Sequence, residues 1–328
     1  MIKITKFLEN IKIKDGMPHA TSFSKDVKKN SVFFALSGGN CHGSEFINDA
    51  IDNGAFIVFH DDPNYLSEER NIYFVNDLED QILPFLNELY EINLSKYKFF
   101  GFTGTNGKTT SAYLCHQILM TLNMNSIYMG TLGFLCNSLD AFQETRNTTP
   151  DIFTVLYFLF QNKSEGIQNI CLEVSSHALQ QNRLNSLNFD VSSILNIESD
   201  HLDYHQTIEN YIASKFMISN TTLDNNVIIN VDSINIKNEY KNLGKSKFKS
   251  FSQVDESCDF FLSINKCDIK NSIFSLKYYD QLLSFSTKIF PNFNILNFSF
   301  AVISILNTYK NIDFTNVQTN KLRMPKGR

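Results

Sequence analysis

The sequence predicts an α/β protein in which a mostly parallel sheet covered by helices follows a smaller α/β domain. Three observations predict it. An apolar, aromatic run (Tyr97, Phe99, Phe100) reads as a buried strand. It leads into the glycine turn of GFTGTNGKTTSAY, Gly101–Tyr113, and then into Leu114, Ile118, Leu119 and Leu122 at helical spacing. Beyond this stretch, helix and strand signals alternate at Ser126–Met129, Ile152–Phe160, Ile170–Val174, Val191–Ile197 and Val227–Val231. That alternation is the pattern of a parallel sheet with helical crossovers.

Taken in order, residues 1–95 form the smaller domain. Ser31–Leu36 (SVFFAL) is a strand, followed by the turn Ser37-Gly38-Gly39-Asn40 and a helix over Glu45–Asn53 closed by Gly54. Ala55–His60 (AFIVFH) and Ile72–Val75 are further strands, and Gln81–Tyr90 is apolar at helical spacing despite Pro84. The boundary falls at Asn93–Lys98, so the central domain runs over 96–320 and a short tail over 321–328. Within the central domain, Phe251–Phe290 alternates as antiparallel hairpins do (Ile273-Phe274-Ser275-Leu276-Lys277-Tyr278), and Asn292–Tyr309 returns to a helix.

The bulk composition excludes several classes. With 328 residues and 43% hydrophobic content the chain can bury a large core in two domains. No segment approaches the ~20 apolar residues of a membrane helix, and Met1–Lys14 lacks the apolar stretch of a secretory signal. Cysteines 41, 115, 136, 171, 258 and 267 form no CxxC pair, which predicts reduced thiols in the cytoplasm. A net charge of −5 argues against a general nucleic-acid binder.

Strand, glycine turn, Lys-Thr and helix is the context of a phosphate-binding loop. Backbone N–H groups of the turn and of the first helical turn converge on an anion, and the helix dipole favours it. Gly104 and Gly107 allow close approach, Lys108 reaches the outer phosphates of ATP, and the Thr109 hydroxyl can ligate Mg²⁺. Phe102 stands at the first glycine of the GxxxxGK[ST] pattern. Other polar clusters close the predicted strands, where open α/β sheets bind ligands. Asn147-Thr148-Thr149-Pro150 precedes a helix and serves as a cap or as ligand contacts. Glu173 ends ICLEV before Ser175-Ser176-His177, and is either a Mg²⁺ ligand or a buried acid paired with Arg or Lys. Gln181 and Arg183 follow on a segment able to turn back over the site. NIESDHLDYH, Asn196–His205, fits no common zinc spacing. Asp200-His201 at a strand end points instead to magnesium or phosphate. Lys215, on the helical stretch YIASKF, reads from spacing alone as a surface lysine.

Together GTNGKTT, NTTP, LEVSSHALQQNR, DHLDYH, YIASKF and FNILN, over residues 101–297, resemble the Mur ligases. The resemblance is strongest to their MurE branch, which adds the third residue of the peptidoglycan stem peptide to UDP-N-acetylmuramoyl-L-alanyl-D-glutamate. It implies that the first domain binds the UDP sugar and that Gly104, Thr105, Asn106, Gly107, Lys108, Thr109 and Thr110 bind ATP. It also implies that Thr109 and Glu173 share one Mg²⁺, that His201 and Lys215 serve a second, and that Lys215 is carbamylated by CO₂. Asn147, Thr148, Thr149, Ser175, Gln181 and Arg183 match positions that hold the UDP-muramoyl peptide, and Asn294 matches an adenine-side contact. Lys108, Glu173, His201 and Lys215 carry the catalytic roles. The implied partners are the UDP-muramoyl dipeptide and an amino acid, meso-diaminopimelate or L-lysine, bound by a monomer away from nucleic acid and membrane.

The first domain resembles the family less closely. Phe23-Ser24-Lys25 keeps only the serine of the usual Asp-Ser-Arg, and His42 stands for the usual Asp, so Ser24, Gly39, Asn40 and Cys41 are the UDP contacts this weaker match implies. Ser199 replaces an Arg common before Asp-His. Leu322–Arg328 (LRMPKGR) resembles the linker to a third domain, with Lys326 extra, and such a domain is absent from this chain, so the fragment is expected to be incompetent alone. Two other readings stand beside this one: a ligase of folate glutamylation, and a non-catalytic nucleotide-binding remnant.

Overall fold

The computed structural model describes residues 2–12, 18–39, 41–138, 141–185, 187–279, 281–310, 312–314 and 317–325. Asn40 and the end of the linker-like tail, with Lys326, lie outside the described residues. The chain divides into two compact units. The first takes Met1–Ser95, Asp151–Lys163 and Gln181–Leu187; the second takes Lys96–Pro150, Ser164–Gln180 and Asn188–Arg328. Thus two segments that the sequence groups with the central domain pack with the smaller one.

In chain order the elements begin with α1 (Leu8–Lys12), β1 (Ala20–Thr21), β2 (Ser31–Ala35), α2 (Ile47–Asp52), β3 (Ala55–His60), β4 (Ile72–Phe74) and α3 (Leu78–Tyr90). Next come β5 (Lys98–Thr103), α4 (Lys108–Thr121), β6 (Ser126–Gly130), β7 (Gly133–Cys136), α5 (Ile152–Gln161), β8 (Asn169–Glu173) and α6 (Ser176–Gln180). The chain continues with β9 (Val191–Ile194), α7 (Leu202–His205), α8 (Ile208–Phe216), β10 (Val227–Asn230), α9 (Ile234–Leu243) and β11 (Phe248–Ser252). It closes with β12 (Phe260–Lys266), β13 (Ser272–Tyr278), β14 (Gln281–Thr287) and α10 (Asn292–Thr308).

In the first unit β1-β2-β3-β4 form a parallel sheet. Its central strands β2 and β3 are buried along nearly their whole length, and apolar apart from Ser31 and His60, because both faces are covered. Phe33, Ala35 and Val58 face α2 through Ile47 and Ala50. On the other face Phe34 lies 5.5 Å from Phe59, 5.5 Å from Phe85 on α3 and 5.0 Å from Phe153 on α5. Those aromatic contacts explain why α5 belongs to this unit. His42, in place of the expected acid, accepts the Ser44 amide at 3.0 Å and meets Asp61 at 3.0 Å. Pro84 sits inside α3, which starts three residues earlier than the apolar spacing suggests and ends on Glu91 in the left-handed region (φ 53°).

In the second unit the strand order is β14-β13-β12-β11-β10-β9-β5-β8-β6-β7. The pairs from β12 to β6 are parallel, and β7, β13 and β14 are antiparallel additions at the two ends. The hairpins therefore begin at β12, and Phe251 belongs to the parallel β11. Helix α10 is buried on nearly all sides, its Asn and Ser residues included. Its Phe300 packs 4.6 Å from Phe251. Among the described residues no helix is long and apolar enough to cross a membrane, and all six cysteines are free.

His116 on α4 is fully buried, with Nε2 2.9 Å from the Ser138 carbonyl and Nδ1 2.7 Å from Ser126 Oγ. Burial pushes it down from its ordinary 6.5 to about 4. The unfolded chain therefore binds the extra proton between those values, so stability falls as pH drops from ~6.5 towards 4. The loss should approach about 3 kcal/mol. Denaturant titrations of wild type and His116→Gln between pH 7 and 4.5 check this: the variant should show the shallower pH dependence.

Candidate active site

The central strand β5 has β8 on one side and β9 on the other, which is the point where the strand order reverses and where open sheets bind ligands. Its exit is the loop Gly104–Gly107, and α4 starts at Lys108. Gly107 has φ 87°, and a Cβ there would sit 2.3 Å from Asn297 Oδ1, so only glycine fits. The loop is clasped from the end of β9. Asn196 accepts the Thr105 amide on its carbonyl (2.9 Å) and the Asn106 amide on Oδ1 (2.8 Å), while its Nδ2 donates to the Asn106 carbonyl (3.0 Å). Thr105 Oγ1 accepts the Glu198 amide at 2.9 Å. The Lys108 ammonium folds back onto the carbonyls of Gly104 (2.9 Å) and Thr105 (3.1 Å). A braced loop leading into the N-terminus of α4, with a lysine poised beside it, has the geometry and charge that suit an anion.

Glu173 closes β8 in register with Phe102 of β5 and is fully buried. The Thr109 hydroxyl donates to its Oε2 at 2.7 Å, and the Thr131 amide donates to its Oε1 at 2.8 Å. Among the described residues no lysine or arginine pairs with it. A buried carboxylate needs such donors, and beside a phosphate loop it can also hold a divalent cation that takes few carboxylates.

Lys215 on α8 is not a surface residue: it is 1% exposed, donates to the Gly104 carbonyl at 2.9 Å and lies 4.4 Å from the Tyr211 ring centroid. Burial, and then the nearby Lys108 charge, lower its pKa from 10.5 to about 6. Tyr211 also links to Thr105 Oγ1 at 3.2 Å, and its ring lies 6.3 Å from that of His201. His201 is half exposed, in the left-handed region (φ 51°), with Nε2 3.5 Å from Asp200. His205 is buried against Ser176 Oγ at 3.0 Å. Among the described residues no three His, Cys, Asp or Glu side chains are grouped to hold a metal by themselves.

A cleft of about 1160 Å³ runs from Thr105–Thr110 and Glu173 past Asn230, Asp232 and Asn235 to Asn294 and Asn297. Asn294, also on the cleft, donates through Nδ2 to the Phe290 carbonyl at 3.0 Å, while its buried Oδ1 has no partner among the described residues. Thr148 also lines the cleft, and the buried Thr149 Oγ1 accepts the Ser175 amide at 2.9 Å.

A family model described as the Mur ligase middle domain matches residues 102–305, and one described as Mur ligase family, catalytic domain, matches residues 21–87. The chain belongs to the Mur ligase family. It is 33% identical over 325 residues to the UDP-N-acetylmuramoyl-L-alanyl-D-glutamate--2,6-diaminopimelate ligase of Wigglesworthia glossinidia brevipalpis, a match covering 93% of this chain and 63% of that protein. The Rickettsia bellii protein of the same name is 30% identical over 337 residues, covering 99% and 68%. A solved structure of a like-named ligase superposes with a TM-score of 0.75 at 23% identity, over 94% of this chain and 63% of that one. This Mur ligase chain thus spans about 63% of the length of the Wigglesworthia relative.

The second unit of this Mur ligase brings Thr105–Thr110, Thr148, Glu173 and Asn294 onto one cleft, and Lys215 onto the carbonyl of Gly104, which opens the loop. Asn147, Thr149 and Ser175 belong to the same unit, whereas Ser24, Gly39, Cys41, Gln181 and Arg183 belong to the first. Neither threonine caps the following helix; Asp151 does so, accepting the Thr154 amide at 2.8 Å. The sequence reading missed Tyr128, Thr131, Asn196 and Tyr211 as parts of the site. Thr131 and Asn196 follow the ends of β6 and β9, a position that could have flagged them; Tyr128 lies within β6 and donates its hydroxyl to Glu173 Oε1, and Tyr211 lies one helical turn before Lys215.

Proposed function

We propose that this chain carries the nucleotide-binding and UDP-substrate-binding parts of a cytoplasmic, ATP-dependent amide ligase. The ligase joins a third amino acid, meso-diaminopimelate or L-lysine, to UDP-N-acetylmuramoyl-L-alanyl-D-glutamate. The buried Glu173 carboxylate meeting Thr109 beside the phosphate loop, at one end of a cleft large enough for a nucleotide, supports this reading most directly. Gly104–Thr110 would hold the phosphates and Asn294 the adenine side. Thr109 and Glu173 would hold one Mg²⁺; His201 and Lys215, carbamylated by CO₂, would hold a second. The donor set fits: a buried acid and a hydroxyl at the phosphates, and a buried lysine whose amine is largely neutral at pH 7. The cations supply neutralisation of phosphate charge. The substrate carboxylate would attack the γ-phosphate and expel ADP, leaving an acyl phosphate; the amine would then add to the acyl carbon, lose a proton and expel inorganic phosphate from the tetrahedral intermediate. The chain's own part is positioning by the braced loop and charge stabilisation by Lys108. Asn147, Thr148, Thr149, Ser175, Gln181 and Arg183 would hold the muramoyl peptide, and Ser24, Gly39, Asn40 and Cys41 the uridine end.

Calorimetry with a non-hydrolysable ATP analogue, with UDP-N-acetylmuramoyl-L-alanyl-D-glutamate and with a dihydropteroate tests this. Saturable binding of the first two and none of the third is expected. Binding of the pteridine in place of the UDP sugar would assign the chain to folate glutamylation.

A further inference from the structure

Glu173 has two oxygens that the protein treats differently. Oε1 receives the Tyr128 hydroxyl at 2.5 Å and the Thr131 amide at 2.8 Å. Both donors are fixed. The amide is backbone, and the Tyr128 ring is fully buried, 5.7 Å from Tyr113 in an edge-on arrangement. The Leu132 amide donates to the Tyr128 oxygen at 3.3 Å, which leaves the phenolic proton to point at Glu173. Gly130 completes the seat, since a Cβ there would lie 2.1 Å from Oε1. Oε2, by contrast, receives among the described residues only side-chain hydroxyls, Thr109 at 2.7 Å and Thr131 at 3.1 Å. A hydroxyl can turn its proton away and become a ligand; a backbone amide cannot.

We propose that Tyr128, with the Thr131 amide, reserves Oε1 of Glu173 for the protein, so that the carboxylate offers only Oε2 to a divalent cation and thereby favours Mg²⁺ over Ca²⁺. Mg²⁺ binds at short distance in octahedral geometry through one oxygen of each of a few carboxylates. Ca²⁺ accepts two oxygens of one carboxylate in a looser, larger shell. A seat that occupies Oε1 removes that second option. Tyr128 is a positioning residue, acting through Glu173. This inference rests on the proposed reading of Glu173 as a metal ligand.

The test is the cation preference of Tyr128→Phe, which keeps the buried ring and removes one donor. Mg²⁺ and Ca²⁺ affinities are measured by calorimetry with ADP present, and Mn²⁺ by electron paramagnetic resonance. Mg²⁺ and Mn²⁺ should weaken by about 10-fold or more, the usual effect of losing a partner of a ligating group. Ca²⁺ should weaken less, so the Mg²⁺/Ca²⁺ ratio falls. An unchanged ratio overturns the proposal. Glu173→Gln separates it from the underlying reading: if that variant loses the metal while Tyr128→Phe keeps the wild-type preference, only the positioning role fails. If Glu173→Gln binds Mg²⁺ normally, the metal reading fails and the positioning role with it. Infrared difference spectra of the wild type on adding Mg²⁺, with Glu173→Gln as the blank, decide the matter even if Tyr128→Phe does not fold. The wide band splitting of a carboxylate bound through one oxygen is expected, and the narrow splitting of two-oxygen binding overturns the proposal.

Discussion

Lys108→Ala is expected to abolish the binding of Mg²⁺–ATP or to weaken it severely. The lysine opens α4 on the turn after Gly107, and its ammonium rests on the carbonyls of its own loop. Those carbonyls hold it beside the N-terminus of the helix, where the phosphates would arrive. A charge-assisted hydrogen bond to phosphate contributes ~1.5–3 kcal/mol, which is roughly 10- to 150-fold in Kd. The charge also offsets repulsion among phosphates that the backbone amides alone cannot balance. Calorimetric titration of both proteins with Mg²⁺–ATP checks this, with thermal melts showing that the variant remains folded. Equal affinities would show that the loop does not hold phosphate.

The fold was legible because each of its signals is local. SVFFA, AFIVFH, KFFGFT and NICLE each hold an apolar stretch with a polar residue at one end or both, because the strands they form are covered on both faces. The strand, glycine turn and helix around GTNGKTT were legible because each is a local signal. What remained hidden depends on which strands become neighbours. In sequence Glu173 reads as a metal ligand or as an ion-paired acid; its partners, Thr109 after β5 and Tyr128 from β6 on the far side of β8, follow from strand order that no local signal carries. Lys215 looks like a surface residue in sequence because a lysine on a helix is usually solvated. Its burial follows from Tyr211, one turn earlier, leaning on Thr105 of a loop more than a hundred residues away. Helix α5 was misassigned to the central domain for the same reason: its apolar positions do not say which sheet they cover, and only the packing of Phe153 on Phe34 does.

Lys215 should capture CO₂ at neutral pH, where an ordinary lysine would not. With a pKa near 10.4 only about one amine in a few thousand is uncharged at pH 7. At about 6 the neutral form predominates, an increase on the order of 10³-fold in the reactive species. The amine lone pair forms an N–C bond to CO₂, one C=O electron pair moves onto oxygen, and the nitrogen releases a proton to solvent. The product is a carbamate, a carboxylate-like group that can join His201 in holding a cation, whereas the ammonium would repel it. The sign of the pH dependence follows from the lowered value: labelling should rise as pH passes upward through ~6 and then level off, rather than climbing towards 10. Incubation with ¹³C-bicarbonate and Mg²⁺–nucleotide, read by ¹³C NMR, should show one carbamate resonance in the wild type and none in Lys215→Ala. That variant should weaken the second cation while leaving ATP and the cation at Thr109 and Glu173 largely in place. A spectrum without the resonance at pH 7.5, or one that survives in Lys215→Ala, would remove Lys215 from the metal site and leave it as a buried amine bracing the carbonyl of Gly104.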